Sequence, residues 1–326
     1  MTPAKRTAIA GEVGPTHVRF AVVDRDELHL DHFVNFRCVD FQSFEQALAA
    51  YLRSLPAHPD ILSLAVAGTV ENGHATVGGT GWRLIRRHLE TAMSMRHVSL
   101  VRDISARALA VPLLDAHEIE QVGGEAPFAD RPKVAISVGH FLEAAALIPV
   151  RDEWVVVAGA AGEMSFGGLN EQELKLLQLV AEDAPLTAGR LLSSQALIRL
   201  YTHLLKGNEA VAGEDAHEAF ASSLSQQDAV AVEATHLLSR WIGRHAADVA
   251  LVTGAEGGAY LFSDGGRHGL APLSREALRE GFHSGQSGSA AATIPLFLVD
   301  STTAALKGAV MAMDFDEDHG AKQPVA

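Results

Sequence analysis

Apolar positions along the chain change period several times, and each change marks an element. From Thr7 to Val23, alanine, isoleucine and valine flank a Gly11–Glu12–Val13–Gly14–Pro15–Thr16 interruption, after which Val18, Phe20 and Val22 alternate with other residues. The pattern predicts strand, turn, strand, and Leu28–Leu30 and Phe33–Phe36 read as further antiparallel strands. Between Ser43 and Leu55 the residues Phe44, Ala47, Leu48, Tyr51 and Leu52 fall at helical spacing, and Pro56 stops the run. Ile61–Ala67 reads as a buried strand and glycine-rich Gly68–Gly81 as a loop or hairpin. Trp82–Met95 follows as a helix, Val98–Val101 as a strand ending at Arg102–Asp103, and Ile104–Leu114 as a helix. Strands return at Val134–Val138, Ala144–Val150 and Trp154–Val157, and helices dominate from Glu171 to His245. Two late strands, Val249–Val252 and Ile294–Val299, enclose glycine-rich loops before a helix at Thr302–Met313 and a frayed acidic tail at Asp314–His319. Each half opens on antiparallel strands and continues with alternating helices and strands. This is an α/β pattern with two lobes, not a barrel, because eight regular βα units cannot be counted.

Composition narrows the function classes. At 326 residues the chain exceeds the roughly 250–300 at which single cores stop growing, so two domains are expected. A formal charge of −14 argues against nucleic acid or an anionic membrane surface as partner. The single cysteine, Cys38, cannot form an internal disulfide, which makes the cytoplasm the default compartment. The opening MTPAKRTAIAGEVG meets Glu12 before an export-type apolar core develops, and the apolar stretch Val134–Val150 is broken by His140 and Glu143. Walker A, GxGxxG, HExxH and GxSxG patterns are absent, and the scattered histidines predict no metal site.

The chemistry concentrates in the opening hairpin AIAGEVGPTHVRFAVVD, residues 8–24. A carboxylate ending one strand, a tight turn and a threonine opening the next can hold a nucleotide phosphate and its hydrated magnesium. Here the chain resembles the bacterial glucokinase family of the actin-like sugar kinase superfamily, whose members open with D-x-G-G-T-N. LSLAVAGTVENGHATVGGTGW (62–82) is similar to the family's strand and hairpin leading to its sugar-binding loop, and HVSLVRDISARALAVPLL (97–114) to its strand–Asn-Asp–helix unit. VGGEAPFADRPKVAISVG (122–139) resembles the lead-in to the second phosphate loop. VVVAGAAGEMSFGGLNEQE (155–173) and TAGRLLSSQALIRLY (187–201) resemble the sugar-binding segment and the helix start after it. GAEGGAYLFSDGG (254–266) is similar to the glycine-rich strand near the adenosine site.

The resemblance implies a two-lobed actin-like ATPase (ribonuclease H-like) fold around a cleft. Its small domain would span 1–104 plus about 303–326, and its large domain 105–302. It implies Asp103 as the base that takes the sugar-hydroxyl proton; the residue's position also suits a helix N-cap. Remnants of the phosphate site are Glu12, Gly14, Thr16 and Gly139, with Gly265 and Gly266 near the nucleoside. Several positions depart from the pattern. Glu12 replaces an aspartate, Pro15 removes a glycine and its backbone donor, and Leu142 and Glu143 stand where glycines would wrap phosphates. His17 and Arg19 read as exposed strand residues or as an anion lure. In the sugar site, Gly79 stands for an asparagine, Arg102 for the partner of the catalytic aspartate, Ala160 and Gly189 for glutamates, and Glu163 for a histidine. Arg102 and Glu163 are expected to pair across the cleft. The expectation is a glucokinase-like protein with eroded ATP and glucose motifs, working through binding or assembly. The alternative is an active ATP- and magnesium-dependent sugar kinase with an altered acceptor and Asp103 as base. The resemblance further implies a homodimer, with a small molecule in the interdomain cleft or a protein as partner.

Overall fold

The computed structural model describes residues 7–139, 142–151, 153–182, 184–205, 214–263, 273–284 and 290–319. The chain divides into two compact units, the first drawn from residues up to Leu114 and from Thr302 onward, the second from Asp115 to Ser301.

In the first unit, β1 (Thr7–Val13) turns back as β2 (His17–Asp24) and β3 (Leu30–Arg37). Helix α1 (Phe44–Ser54), capped by Ser43, leads to β4 (Ile61–Val66). A small sheet of β5 (Gly68–Glu71), β6 (His74–Val77) and β7 (Arg83–Ile85) precedes α2 (Arg86–Ala92), β8 (His97–Arg102) and α3 (Asp103–Ala110). The main sheet has the order β3-β2-β1-β4-β8, with β1 antiparallel to β2 and parallel to β4.

In the second unit, β9 (Ile119–Gly123), β10 (Lys133–Val138), β11 (Leu142–Val150) and β12 (Glu153–Gly159) precede the helices α4 (Glu171–Ala181), α5 (Ala188–Leu191), α6 (Ser194–Leu204), α7 (Glu214–Ser225) and α8 (Ala229–Thr253). Strand β13 (Ala259–Ser263), α9 (Arg275–Phe282) and β14 (Leu296–Val299) complete it. Its sheet runs β12-β11-β10-β13-β14-β9, and the first five positions repeat the plan of the first unit: an antiparallel meander followed by two parallel strands. The chain then returns to the first unit as α10 (Ala304–His319).

Alternation along β1 explains how the first unit is layered. Ile9 and Val13 join Phe20, Phe44, Leu48, Tyr51 and Leu64 in the core beneath α1. Ala8 and Ala10 face the other way, with Leu306 and Val310 of α10. That face is kept small: Ala65 and Ala106 meet Ala305 and Ala309, and a Cβ on Gly308 would collide with the Ala106 carbonyl. Helix α3 thus packs on α10, and the chain leaves the first unit only after Leu114. The expected boundary at 104 therefore falls ten residues early in the sequence.

Three expected elements differ. The predicted helix Trp82–Met95 begins as strand β7, because buried Leu84 alternates with exposed Arg83 and Ile85, and the helix starts only at Arg86. Of Leu28–Leu30 only Leu30 is strand; it opens the single strand β3, which takes in Phe33–Phe36, while Leu28 sits in the preceding turn at φ 54°. Val249–Val252 is the end of α8, not a strand: Val249 and Ala250 are buried, Val252 is exposed, and Gly254 ends the helix at φ 62°. The strand lies further on, at β13. The acidic tail continues α10 to His319.

Helices α8 and α9 cross through reciprocal glycines. A Cβ on Gly243 would strike the Leu278 backbone, and one on Gly281 would strike the Arg240 backbone. Gly281→Ala must therefore push the helices apart; it is expected to cost about 1–3 kcal/mol, read as a lower urea midpoint with unchanged helical circular dichroism.

On α8, His245 is buried edge-on against Phe166 at 6.3 Å, and its Nε2 has no hydrogen-bond partner among the described residues. Burial pushes its pKa down to about 4, opposed by Asp248. The folded state keeps it neutral while the unfolded chain takes up a proton near 6.5, so stability is lost as pH falls from about 6.5 toward 4. His245→Met is expected to flatten the fall in unfolding free energy across that window, read from urea titrations, which in the parent amounts to at most ~3 kcal/mol.

Candidate functional site

Strands β1, β4 and β8 run parallel, and their C-terminal ends carry the chemistry, as open α/β sheets arrange it. Glu12 sits one residue from the end of β1 and lies directly across the hairpin from Arg19 on β2. Arg102 ends β8 and Asp103 opens α3, so Asp103 is a first-turn residue of the helix. It does not cap: no side-chain cap bond forms at this terminus, which removes the N-cap reading of Asp103.

Its carboxylate turns instead to Arg107, one helical turn on. Arg107 Nε donates to Asp103 Oδ2 at 2.6 Å and its Nη2 to Glu12 Oε1 at 3.2 Å. Arg19 Nη2 donates to the same Glu12 oxygen at 2.8 Å, and Arg19 Nη1 to the Thr302 carbonyl at 3.0 Å. The Glu12, Asp103 and Arg107 side chains are each no more than 10% exposed. Two carboxylates that the resemblance assigns to the reaction are thus bridged by one guanidinium at low dielectric, where charge-assisted bonds are strongest. Asp103 Oδ1 is buried with no hydrogen-bond partner among the described residues. Arg19 is neither a free anion lure nor a merely exposed strand residue; it is the second cation on Glu12.

The turn above this cluster is closed on itself. Gly14 N–H donates to the His17 carbonyl at 2.9 Å, Pro15 has no N–H, and Thr16 Oγ1 meets His17 Nδ1 at 3.0 Å on the surface. No residue from 13 to 17 has positive φ, so proline is accommodated without strain. Gly79, at φ 79°, lies against this turn: a Cβ there would be 3.0 Å from Pro15 Cβ. The proline ring thus takes up room beside Gly79, the position that the resemblance assigns to an asparagine.

The sugar-segment positions of the second unit come together in the same manner. Ala160 and Glu163 are exposed on the turn after β12, and Ala188 N–H bonds the Met164 carbonyl at 2.9 Å, joining that turn to α5. Gly162 and Gly189 touch through backbone: a Cβ on Gly189 would sit 3.1 Å from the Gly162 carbonyl oxygen. Arg244 holds this segment from α8, bonding Glu173 at 3.0 and 3.1 Å and the Gly167 carbonyl at 2.7 Å while covering the Phe166 ring. Arg102 belongs to the first unit and Glu163 to the second.

The second phosphate loop needs a correction. Leu142 does not project from its hairpin; it is buried in the core of the second unit, and only half-buried Glu143 keeps the expected negative charge there. The Gly139 carbonyl accepts from Ser194 N–H at the start of α6, at 3.1 Å. Gly265 and Gly266 lie outside the described residues. Beside β13 and β14 is a cavity of about 310 Å³, with Phe262 and Val299 on its wall and Glu118, Glu120, Asp300 and Arg275 as its charged groups. Arg275 is already bound to Glu120 at 2.6 and 2.7 Å, and this pairing holds the Glu120 carboxyl below its usual range.

The donor set does not fit a hydrated magnesium ion. Glu12 Oε1 already accepts from two guanidinium groups, and Arg107 would face any divalent cation brought between Glu12 and Asp103. Among the described residues no cluster of His, Cys, Asp and Glu forms a metal site, and no helix is long and apolar enough to cross a membrane.

Arg107 and Arg244 are the two residues that the sequence reading missed. Arg107 had a signal, the i,i+4 spacing from an acidic first-turn residue. Arg244, far along the chain from Glu173, had none. Arg107→Met would strand buried Asp103 without a counter-ion. The expected loss is about 3–5 kcal/mol in urea unfolding, partly recovered by adding Asp103→Asn.

Comparison with known proteins places these features. A family model described as Glucokinase matches residues 9–315. The glucokinase of Rhizobium meliloti (strain 1021) is 28% identical over 305 residues, covering 92% of this chain and 90% of that protein. Among solved structures, a glucokinase from an Antarctic psychrotroph superposes with a TM-score of 0.79 at 21% identity, over 96% of this chain and 100% of the other. A ROK family glucokinase from Streptomyces griseus, crystallised with glucose and AMPPNP, gives 0.62 at 19% identity, over 94% and 98%.

Proposed function

The chain belongs to the glucokinase family, with its two-domain actin-like fold, and from that premise we propose that it is a non-catalytic member, binding a small molecule or protein without transferring phosphate. The observation that carries this reading is the Arg107 bridge between Glu12 and Asp103. In a phosphoryl transfer the base must accept a proton from the sugar hydroxyl, and the metal and backbone donors must neutralise the triphosphate. Here one oxygen of the base is committed to a guanidinium, the acidic residue of the first hairpin is doubly occupied, and the turn offers no donor from Gly14 or Pro15. Losing one positioned donor commonly costs ~2.7–4 kcal/mol in the transition state. The sugar side supports the same reading, since Gly79 and Gly189 leave no side chain to bond hydroxyls and their surroundings have closed in.

A second reading, an active sugar kinase with an altered acceptor, is favoured by one feature. Asp103 Oδ1 is buried and unpartnered among the described residues, so a substrate hydroxyl could donate to it while Arg107 orients the other oxygen. The name glucokinase carried by relatives at 28% identity agrees with it.

A coupled ADP-release assay over a panel of hexoses separates the two. The expected result is no turnover above the enzyme-free rate and no ATP–magnesium-dependent shift in melting temperature. Turnover that Asp103→Asn abolishes, with the fold intact by circular dichroism, would overturn the non-catalytic reading and establish the second.

A further inference from the structure

The chain passes between its two units twice, outward at Leu114–Asp115 and back at Ser301–Thr302. Antiparallel pairing of β9 with β14 draws the second-unit ends of these passages together, because Ile119 at the start of β9 lies opposite Val299 at the end of β14. Between them stands Glu118, only 8% exposed. Its Oε2 accepts from the Asp115 N–H at 3.0 Å, and its Oε1 from the Ser301 hydroxyl at 2.5 Å. The backbone doubles both bonds. Glu118 N–H donates to the Asp115 carbonyl at 2.9 Å, and Asp300 N–H to the Glu118 carbonyl at 2.8 Å.

Burying a carboxylate is costly unless its oxygens are bonded, and here each oxygen holds a different passage. The returning passage leads straight to the charge cluster of the first unit. Thr302, the residue after Ser301, offers its carbonyl to Arg19 Nη1 at 3.0 Å, and Arg19 Nη2 holds Glu12 at 2.8 Å. On the outward side, α3 carries Asp103 and Arg107 and ends at Ala110, just before that passage.

We propose that Glu118 is a positioning residue: it clasps the two passages into one joint and so fixes the Thr302 carbonyl on which Arg19, and through it Glu12, depends. Every bond in this path lies within one unit, and the planar Ser301–Thr302 peptide joins the two runs. With the clasp open, Thr302 is free to turn and Arg19 loses a fixed acceptor. The second cation on Glu12 then loosens, although no residue of the cluster has changed. The proposal stands whether or not the chain transfers phosphate, since it concerns how the cluster is held.

The test is backbone amide exchange in the full-length protein, followed by mass spectrometry. Glu118→Ala is expected to speed exchange about tenfold over 115–118 and 299–303, as the loss of a charged hydrogen bond implies. It should also speed exchange severalfold over 11–20, which belongs to the other unit. Glu118→Gln should restore parent rates at 11–20, because its amide oxygen still accepts from Asp115 N–H while its NH2 donates to the Ser301 hydroxyl. Coupling is reciprocal, so Arg19→Met should in turn loosen 299–303. Gly281→Ala, which strains the second unit elsewhere, is the control and should leave 11–20 at the parent rate. Should Glu118→Ala not fold, Ser301→Ala opens one arm of the clasp and is read in the same way. Acceleration confined to 115–118 and 299–303, or an Arg19→Met protein with parent rates at 299–303, would reduce Glu118 to a local turn residue and overturn the proposal. So would faster exchange over 11–20 in Gly281→Ala.

Discussion

One guanidinium decides the character of the first unit. Arg107 reaches back along α3 to Asp103 and across the sheet to Glu12, so residues almost a hundred positions apart share a single cation. Burying two carboxylates, one near the end of β1 and one just after β8 with β4 between them, is tolerable only with such a counter-charge. The same contact takes up the two carboxylates that the resemblance assigns to phosphate transfer.

The remaining departures from the glucokinase pattern compensate one another. Proline at 15 removes a donor, and its ring packs where glycine at 79 leaves out a side chain. Gly189, where the resemblance places a carboxylate, leaves out a side chain and lies against the Gly162 backbone. Helix α10 and helix α9 each pack through a glycine as well, Gly308 against the Ala106 backbone and Gly281 against the Arg240 backbone. At Gly79 and Gly189 the structure shows close contact, not empty space. Such contacts make single substitutions back to the family's residues poor restorers of function, because the neighbour must move too.

The second unit shows how the shared plan leaves one exposed consequence. Its antiparallel meander ends in β12, whereas the corresponding strand of the first unit, β3, alternates with charged and polar residues such as Asp31, His32, Asn35 and Arg37. Edge strands with that polar content are protected from pairing, and β12 has none of it beyond Glu153.

Much of this was legible in the residues themselves. Period-2 alternation around Gly14–Pro15 determines the opening hairpin, because each β residue has only two faces to choose between. The run Val98–Asp103 determines that a carboxylate stands where a strand becomes a helix, and the departures at Pro15, Gly79, Ala160 and Gly189 are visible without coordinates. Short apolar runs were less decisive: Val249–Val252 suits a strand by composition and becomes helix only because α8 continues through it to Gly254. What tertiary structure alone decided is which charges meet. Glu12 and Arg107 come together because β4 aligns β1 and β8 in parallel, so that the end of β1 and the helix that follows β8 reach each other, and Arg244 finds Glu173 only when α8 meets the first turn of α4. A side chain's electrostatic partner is set by the folding of distant segments into one place, and no local period encodes that distance.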